Sequence, residues 1–171
     1  MECFKTFRKA PPSQLIMTLL VKNEESMLEE NLLFHKAMGV DSFIITDNNS
    51  TDSTPEIIRK YKQKGWIKEV IEEKATDYEQ KEWVDRMIWK AKTIYKADWI
   101  INADADELWY SPSGNLKTDL SATHANVLNC EMRSVYPEEN RPFWQWDKVV
   151  RPVSEPVSYT HLRAHETVLD L

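Results

Sequence analysis

The 171-residue sequence has only three glycines, two cysteines and no long apolar run. Cys3 and Cys130 are too few and too far apart for a disulfide framework or a zinc cluster, so free thiols in a reducing compartment are expected. The longest apolar run, Leu15 to Val21, falls well short of the roughly 20 residues that span a bilayer. The opening MECFKTFRKAPPSQ lacks the apolar core of a secretory signal. A cytoplasmic location with no membrane span in this fragment is therefore expected. Basic charge is also short: 22 Lys and Arg face 28 Asp and Glu, for a net −6, which argues against nucleic acid as a partner. An acidic protein that binds a phosphorylated ligand needs a local cation, usually a bound divalent metal. Glycine is scarce for an enzyme that works through loops, and nothing in the sequence accounts for it.

Residues 156–167, PVSYTHLRAHET, resemble translated adapter DNA of the kind used in sequencing libraries. They are set aside from fold reasoning, together with any metal reading of His161 and His165. The expected organisation is a lead over 1–13, one domain over 14–155, and an artefactual tail over 156–171. The natural chain is then expected to continue past Glu155, which makes this one a fragment.

Between those limits, short apolar runs alternate with helical patterns. Leu15 to Val21 reads as a strand buried on both faces. Asn23 is placed to cap a helix carrying Leu28, Leu32, Phe34 and His35, with Gly39 as its stop. Residues 42–46 form a second strand, and Thr54-Pro55 opens a second helix with Ile57, Ile58 and Tyr61 inward. Residues 66–71 give a third strand. Residues 77–96 give a long helix with Trp83, Met87, Ala91 and Ile94 on one face. Residues 98–102 give a fourth strand, and 127–135 a candidate further one. The alternation predicts an α/β fold with a mostly parallel sheet and flanking helices.

In such sheets ligands sit beyond the carboxyl ends of the strands. Three polar clusters fall there: Lys22-Asn23-Glu24, residues 47–52, and residues 104–107. Asp104 and Asp106 place two carboxylates two residues apart at a strand end, a conflict that a hard divalent ion with oxygen ligands relieves. The plain alternative is a solvated turn that caps a following helix. Asp47 is suited equally to a nucleotide's base or ribose and to an Asx turn. A calcium loop is excluded, since Asp52 stands where that loop needs glycine and Ile58 where it needs glutamate. The Trp83–Ala91 stripe reads as core, while Trp144 and Trp146 have no periodicity to place them.

Taken in order, Val21-Lys22-Asn23-Glu24, Gly39-Val40-Asp41, the 47–54 stretch DNNSTDST and Asp104-Ala105-Asp106-Glu107 resemble the family 2 glycosyltransferases. The closest likeness is to a bacterial branch with KNE, DNxSxD and DADE motifs. That resemblance implies a GT-A, Rossmann-like fold, here truncated at the C-terminus. It also implies inverting transfer of a sugar from a nucleoside-diphosphate donor, UDP- or GDP-linked, to a glycan or other hydroxyl acceptor. Lys22, Asn23, Glu24, Asp47, Asn49, Asp52 and Asp104 would then bind donor, Asp47 at the base. Asp104 and Asp106 would hold Mn²⁺ or Mg²⁺, with Asp106 the more direct ligand. The family's catalytic base lies well downstream of the DxD motif. Glu138 and Glu139 are too close to serve, so no base is assigned and the fragment is expected to bind donor better than it turns over. Two other classes compete. A haloacid-dehalogenase-type phosphatase also uses DxD, but on its first strand. A non-catalytic nucleotide- or carbohydrate-binding module would share the donor site and lack the base.

Overall fold

Every position of Leu15–Val21 (β1) except Leu20 is buried, as a central strand covered on both faces requires. A computed structural model describes residues 13–74, 80–123, 127–130 and 159–163, with positions 135, 138, 141 and 145. The elements follow in the order β1, α1 (Leu28–Ala37), β2 (Ser42–Asp47), α2 (Thr54–Gln63), β3 (Ile67–Glu72), α3 (Gln80–Thr93), β4 (Trp99–Ala103), α4 (Leu116–Ala122), β5 (Val127–Cys130) and β6 (Tyr159–Arg163). The sheet order is β3-β2-β1-β4-β6-β5, and the first four strands are parallel. This is the α/β architecture, a mostly parallel sheet with flanking helices, that the alternation predicts; its GT-A, Rossmann-like form is what the family resemblance implies.

Alternation along each strand sorts the core into two layers. Leu15, Met17, Leu19, Phe43, Ile45 and Ile101 meet Leu28 and Leu32 of α1, Ile58 and Tyr61 of α2, and Leu120 of α4. On the opposite face Ile16, Ile44 and Ile100 meet Met87 and Ala91 of α3. Trp83 joins Met87 and Ala91 as buried core, but Ile94 lies one residue past the end of α3 and is 51% exposed. The expected stripe is therefore one turn shorter than its spacing suggests.

Asn23 does not cap α1, which begins five residues later at Leu28. It holds a left-handed backbone (φ +57°) in a turn instead, a conformation Asn tolerates better than most residues. Pro55 sits in the first turn of α2, where its missing N–H costs nothing, while Asp52 Oδ1 accepts the Thr54 N–H at 2.9 Å. Helix α4, capped by Asn115, has no counterpart in the sequence reading.

Within the candidate strand 127–135, β5 covers Val127–Cys130. Trp144 and Trp146 lie outside the described residues. The adapter-like segment supplies β6, antiparallel between β4 and β5, with Ile100 opposite Leu162 and Cys130 opposite Tyr159. The outer edge of β4 offers unpaired backbone groups to any extended chain, so pairing there requires little of the incoming side chains.

Candidate functional site

The sheet order makes β1 and β4 the place where the chain turns from building one side of the sheet to the other. Connections leave their carboxyl ends in opposite directions and open a crevice. A cavity of about 410 Å³ lies there, lined by Leu20, Val21, Lys22, Glu24, Met27, Asn48, Gln80, Asp104, Ala105 and Asp106.

The loops after β1 and β2 are stitched together. Asn23 Oδ1 accepts the Thr51 N–H at 2.8 Å, and Ser50 Oγ accepts the Asn23 N–H at 2.9 Å. The Glu24 N–H donates to Thr54 Oγ1 at 2.7 Å, and the Glu25 N–H to Asp52 Oδ2 at 3.1 Å. Asp47 Oδ1 accepts both the N–H (3.1 Å) and the hydroxyl (2.6 Å) of Ser50, three residues on, and so closes the loop in a turn. Asn49, at φ +54°, is exposed on the same loop.

The eight singled-out residues therefore divide by position. Lys22, Glu24, Asp104 and Asp106 border the cavity. Asn23, Asp47 and Asp52 spend polar atoms in holding the loops, and Asn49 stands outside the cavity lining. Met27, Asn48 and Gln80 line the cavity without having been singled out. Asn48 had a visible signal, its place inside the 47–52 cluster.

Negative charge concentrates at the mouth. Partial burial raises the Asp104 carboxyl above the ordinary carboxylate range, and neighbouring Asp106 raises it further. Glu24 is raised as well, first by burial and then by Asp106, Asp104 and Asp52. Like charges held together in this way favour a proton or a cation. Among the described residues no three His, Cys, Asp or Glu side chains converge as a complete metal cage. The oxygen donors of Asp104 and Asp106 nonetheless fit a hard divalent ion that takes the rest of its shell from a diphosphate and water.

The DxD loop is gripped from below by α1. Asn31 Nδ2 donates to the carbonyls of Ala105 (2.9 Å) and Glu107 (3.0 Å), with a longer contact to Asp104 O (3.5 Å). His35 Nδ1 lies 2.9 Å from Asn31 Oδ1, and His35 Nε2 accepts the Trp109 N–H at 2.9 Å. Both side chains are fully buried. Sequence reasoning took His35 for part of an apolar stripe. The overlooked signal was a pair of polar residues at i, i+4 within that stripe.

Two solved structures share the fold. One is S. aureus TarS 1–349 in complex with UDP, 18% identical, with a TM-score of 0.53 over 67% of this chain and 34% of that one. The other is the mannosyltransferase PcManGT from Pyrobaculum calidifontis in complex with GDP-Man and Mn²⁺, 18% identical, with a TM-score of 0.52 over 71% of this chain and 36% of that one. The chain thus spans about a third of either solved chain, and 19% of the longer solved chain of TarS. No curated protein is a significant match. The model of glycosyltransferase family 92 matches residues 17–150, a segment containing all four motifs described above, and the chain belongs to that family.

Proposed function

We propose that this chain carries the nucleotide-sugar-binding half of a metal-dependent glycosyltransferase. The observation that carries the reading is the crevice between β1 and β4, where burial and then the neighbouring carboxylates raise the proton affinity of Asp104 and Glu24 beside Lys22. A nucleoside diphosphate fits that pattern, with its diphosphate at the DxD mouth and its nucleoside toward Asn48 and the Asp47 loop. Mn²⁺ or Mg²⁺ held by Asp104 and Asp106 would supply positive charge to the departing diphosphate. Lys22 adds a second positive charge at the cavity, and Leu20, Val21 and Met27 give it an apolar wall. The family 2 likeness of the motifs supports transfer with inversion to a glycan or other hydroxyl acceptor in a bacterial protein, and we place the reaction in the cytoplasm. Among the described residues we assign no group to deprotonate the acceptor. We place the domain at 14–155 and read 156–171 as adapter-derived.

The test is calorimetric titration of the chain with UDP and GDP, in Mn²⁺ and in chelator. Metal-dependent binding that disappears in Asp106→Ala supports the donor site, and the preferred nucleotide indicates the donor. Absence of binding to either nucleotide by a folded chain would sink the reading.

A further inference from the structure

Helix α1 carries two polar side chains on its buried face, where leucines would pack without any polar cost. Asn31 and His35 are both fully buried, and burial of an amide and an imidazole is tolerated only when each is hydrogen-bonded. Their bonds all lead to one place. The Trp109 backbone N–H donates to His35 Nε2, so Nε2 is the acceptor and the proton of the neutral ring resides on Nδ1. Burial pushes the ring's pKa down to about 4, in keeping with a neutral imidazole. Nδ1–H therefore donates to Asn31, at 2.9 Å from Oδ1 and 3.0 Å from the backbone oxygen. With Oδ1 occupied, Nδ2 points the other way and meets the carbonyls of Ala105 and Glu107. A flipped amide would set oxygen against oxygen. The chain from Trp109 through His35 and Asn31 to the 105 and 107 carbonyls has a single direction and brackets the DxD loop at both ends.

We propose that Asn31 and His35 are positioning residues: they fix the backbone of residues 104–109 and thereby aim Asp104 and Asp106 at the ligand. Asp106 lies between the two gripped carbonyls, so a change in either peptide plane swings its carboxylate. The proposal rests on the donor-site reading for its ligand, but the ordering of the loop can be measured without one.

The experiment compares the full chain with Asn31→Ala, His35→Ala, His35→Asn and Leu32→Ala. Amide hydrogen exchange is read at residues 104–109, and the Mn²⁺ concentration for half-maximal UDP binding is read alongside. Leu32 is buried in the same helix and its side chain can make no hydrogen bond to the loop, so it reports general loosening of the core. Asn31→Ala and His35→Ala should each speed loop exchange at least tenfold and raise the Mn²⁺ requirement at least tenfold. His35→Asn keeps a donor near the Nδ1 position but no acceptor for the Trp109 N–H, so it should recover part of both losses, whereas Leu32→Ala should change neither. If Asn31→Ala fails to fold, the His35→Ala and His35→Asn pair carries the same comparison. Unchanged loop exchange, an unchanged Mn²⁺ requirement, or equal effects in Leu32→Ala would each overturn the proposal. If the unaltered chain binds no UDP, the donor-site reading fails, and loop exchange alone then decides the role of Asn31 and His35.

Discussion

Asn23 Oδ1 accepts the backbone N–H of Thr51 at 2.8 Å, and this bond latches the loop after β1 to the loop after β2. Asn23 holds φ +57° while it does so, and its own N–H donates to Ser50 Oγ. Ser50 in turn donates its hydroxyl to Asp47. The polar wall beside the cavity is thus a relay of short side chains, each of which fixes the next.

Replacing Asn23 with alanine removes the acceptor and leaves a Cβ residue in a left-handed conformation. The two effects together should destabilise the fold by about 1–2 kcal/mol. Asn23→Asp keeps both an acceptor and tolerance of positive φ, so its urea midpoint should stay near that of the unaltered chain. Equal losses in Ala and Asp would show that the latch does not depend on the side-chain oxygen.

Gly39 bears a different constraint. Its φ is +96°, and a Cβ built there would stand 2.7 Å from Asn115 Oδ1. Asn115 has little freedom to withdraw, because the same oxygen accepts the Thr118 N–H at 3.0 Å and caps α4. Gly39→Ala should cost about 2–3 kcal/mol, part as backbone strain and part as a disturbed cap. Asn115→Ala alone should cost about 1 kcal/mol. The double substitution should cost less than the sum, since removing the amide relieves the clash. Denaturant unfolding of the three variants reads the coupling directly, and strict additivity would exclude the contact as its source.

β1 and the buried β2 and β4 were legible because a strand covered on both faces carries a continuous apolar run, whatever surrounds it. Gly39 and Thr54-Pro55 were legible because their backbone demands are local. The start of α1 was not. A capping residue and a left-handed turn residue draw on the same amino acids, and Asn23 took the second role through contacts 27 and 28 residues away. Asp47 was open between nucleotide contact and Asx turn; its Oδ1 bonds Ser50, three residues on, where an Asx turn reaches two. Asn31 and His35 were illegible for a stronger reason. Their partners lie 74 to 76 residues downstream, and no local pattern encodes that distance.

His35 also gives the protein a defined weakness in acid. Its ring has an ordinary pKa of 6.5 when exposed and one near 4 in the fold, with burial as the leading cause. The unfolded chain therefore binds a proton at a pH where the folded chain does not. The stability gained by keeping the ring neutral is fully present above pH 6.5 and is lost progressively as pH falls toward 4, where the folded ring protonates too. At most roughly 3 kcal/mol is at stake. The raised carboxyls of Asp104 and Glu24 act in the opposite sense, because the folded state takes up their protons more readily. The difference between the unaltered chain and His35→Gln isolates the imidazole. That difference should shrink steadily between pH 6.5 and 4 in urea unfolding, and a flat difference would mean that the ring is not held neutral.

Strand β6 tests how much of the site depends on the adapter-like tail. Strand β6 meets β4 only at Trp99 and Ile100, near the end of the strand remote from Asp104. β1 pairs along the whole length of β4, from Leu15–Trp99 to Leu19–Ala103. The cavity-lining residues all lie between Leu20 and Asp106, and the grip of α1 on the DxD loop uses nothing beyond Trp109. Trimming the chain after Glu155 should therefore leave Mn²⁺-dependent nucleotide binding within about threefold, less than 1 kcal/mol. It should also expose the edge of β4 and increase self-association at high concentration. Sedimentation and calorimetry on the trimmed chain separate the two effects. Loss of binding without loss of folding would make β6 part of the site's support, and the domain boundary would then move past Arg163.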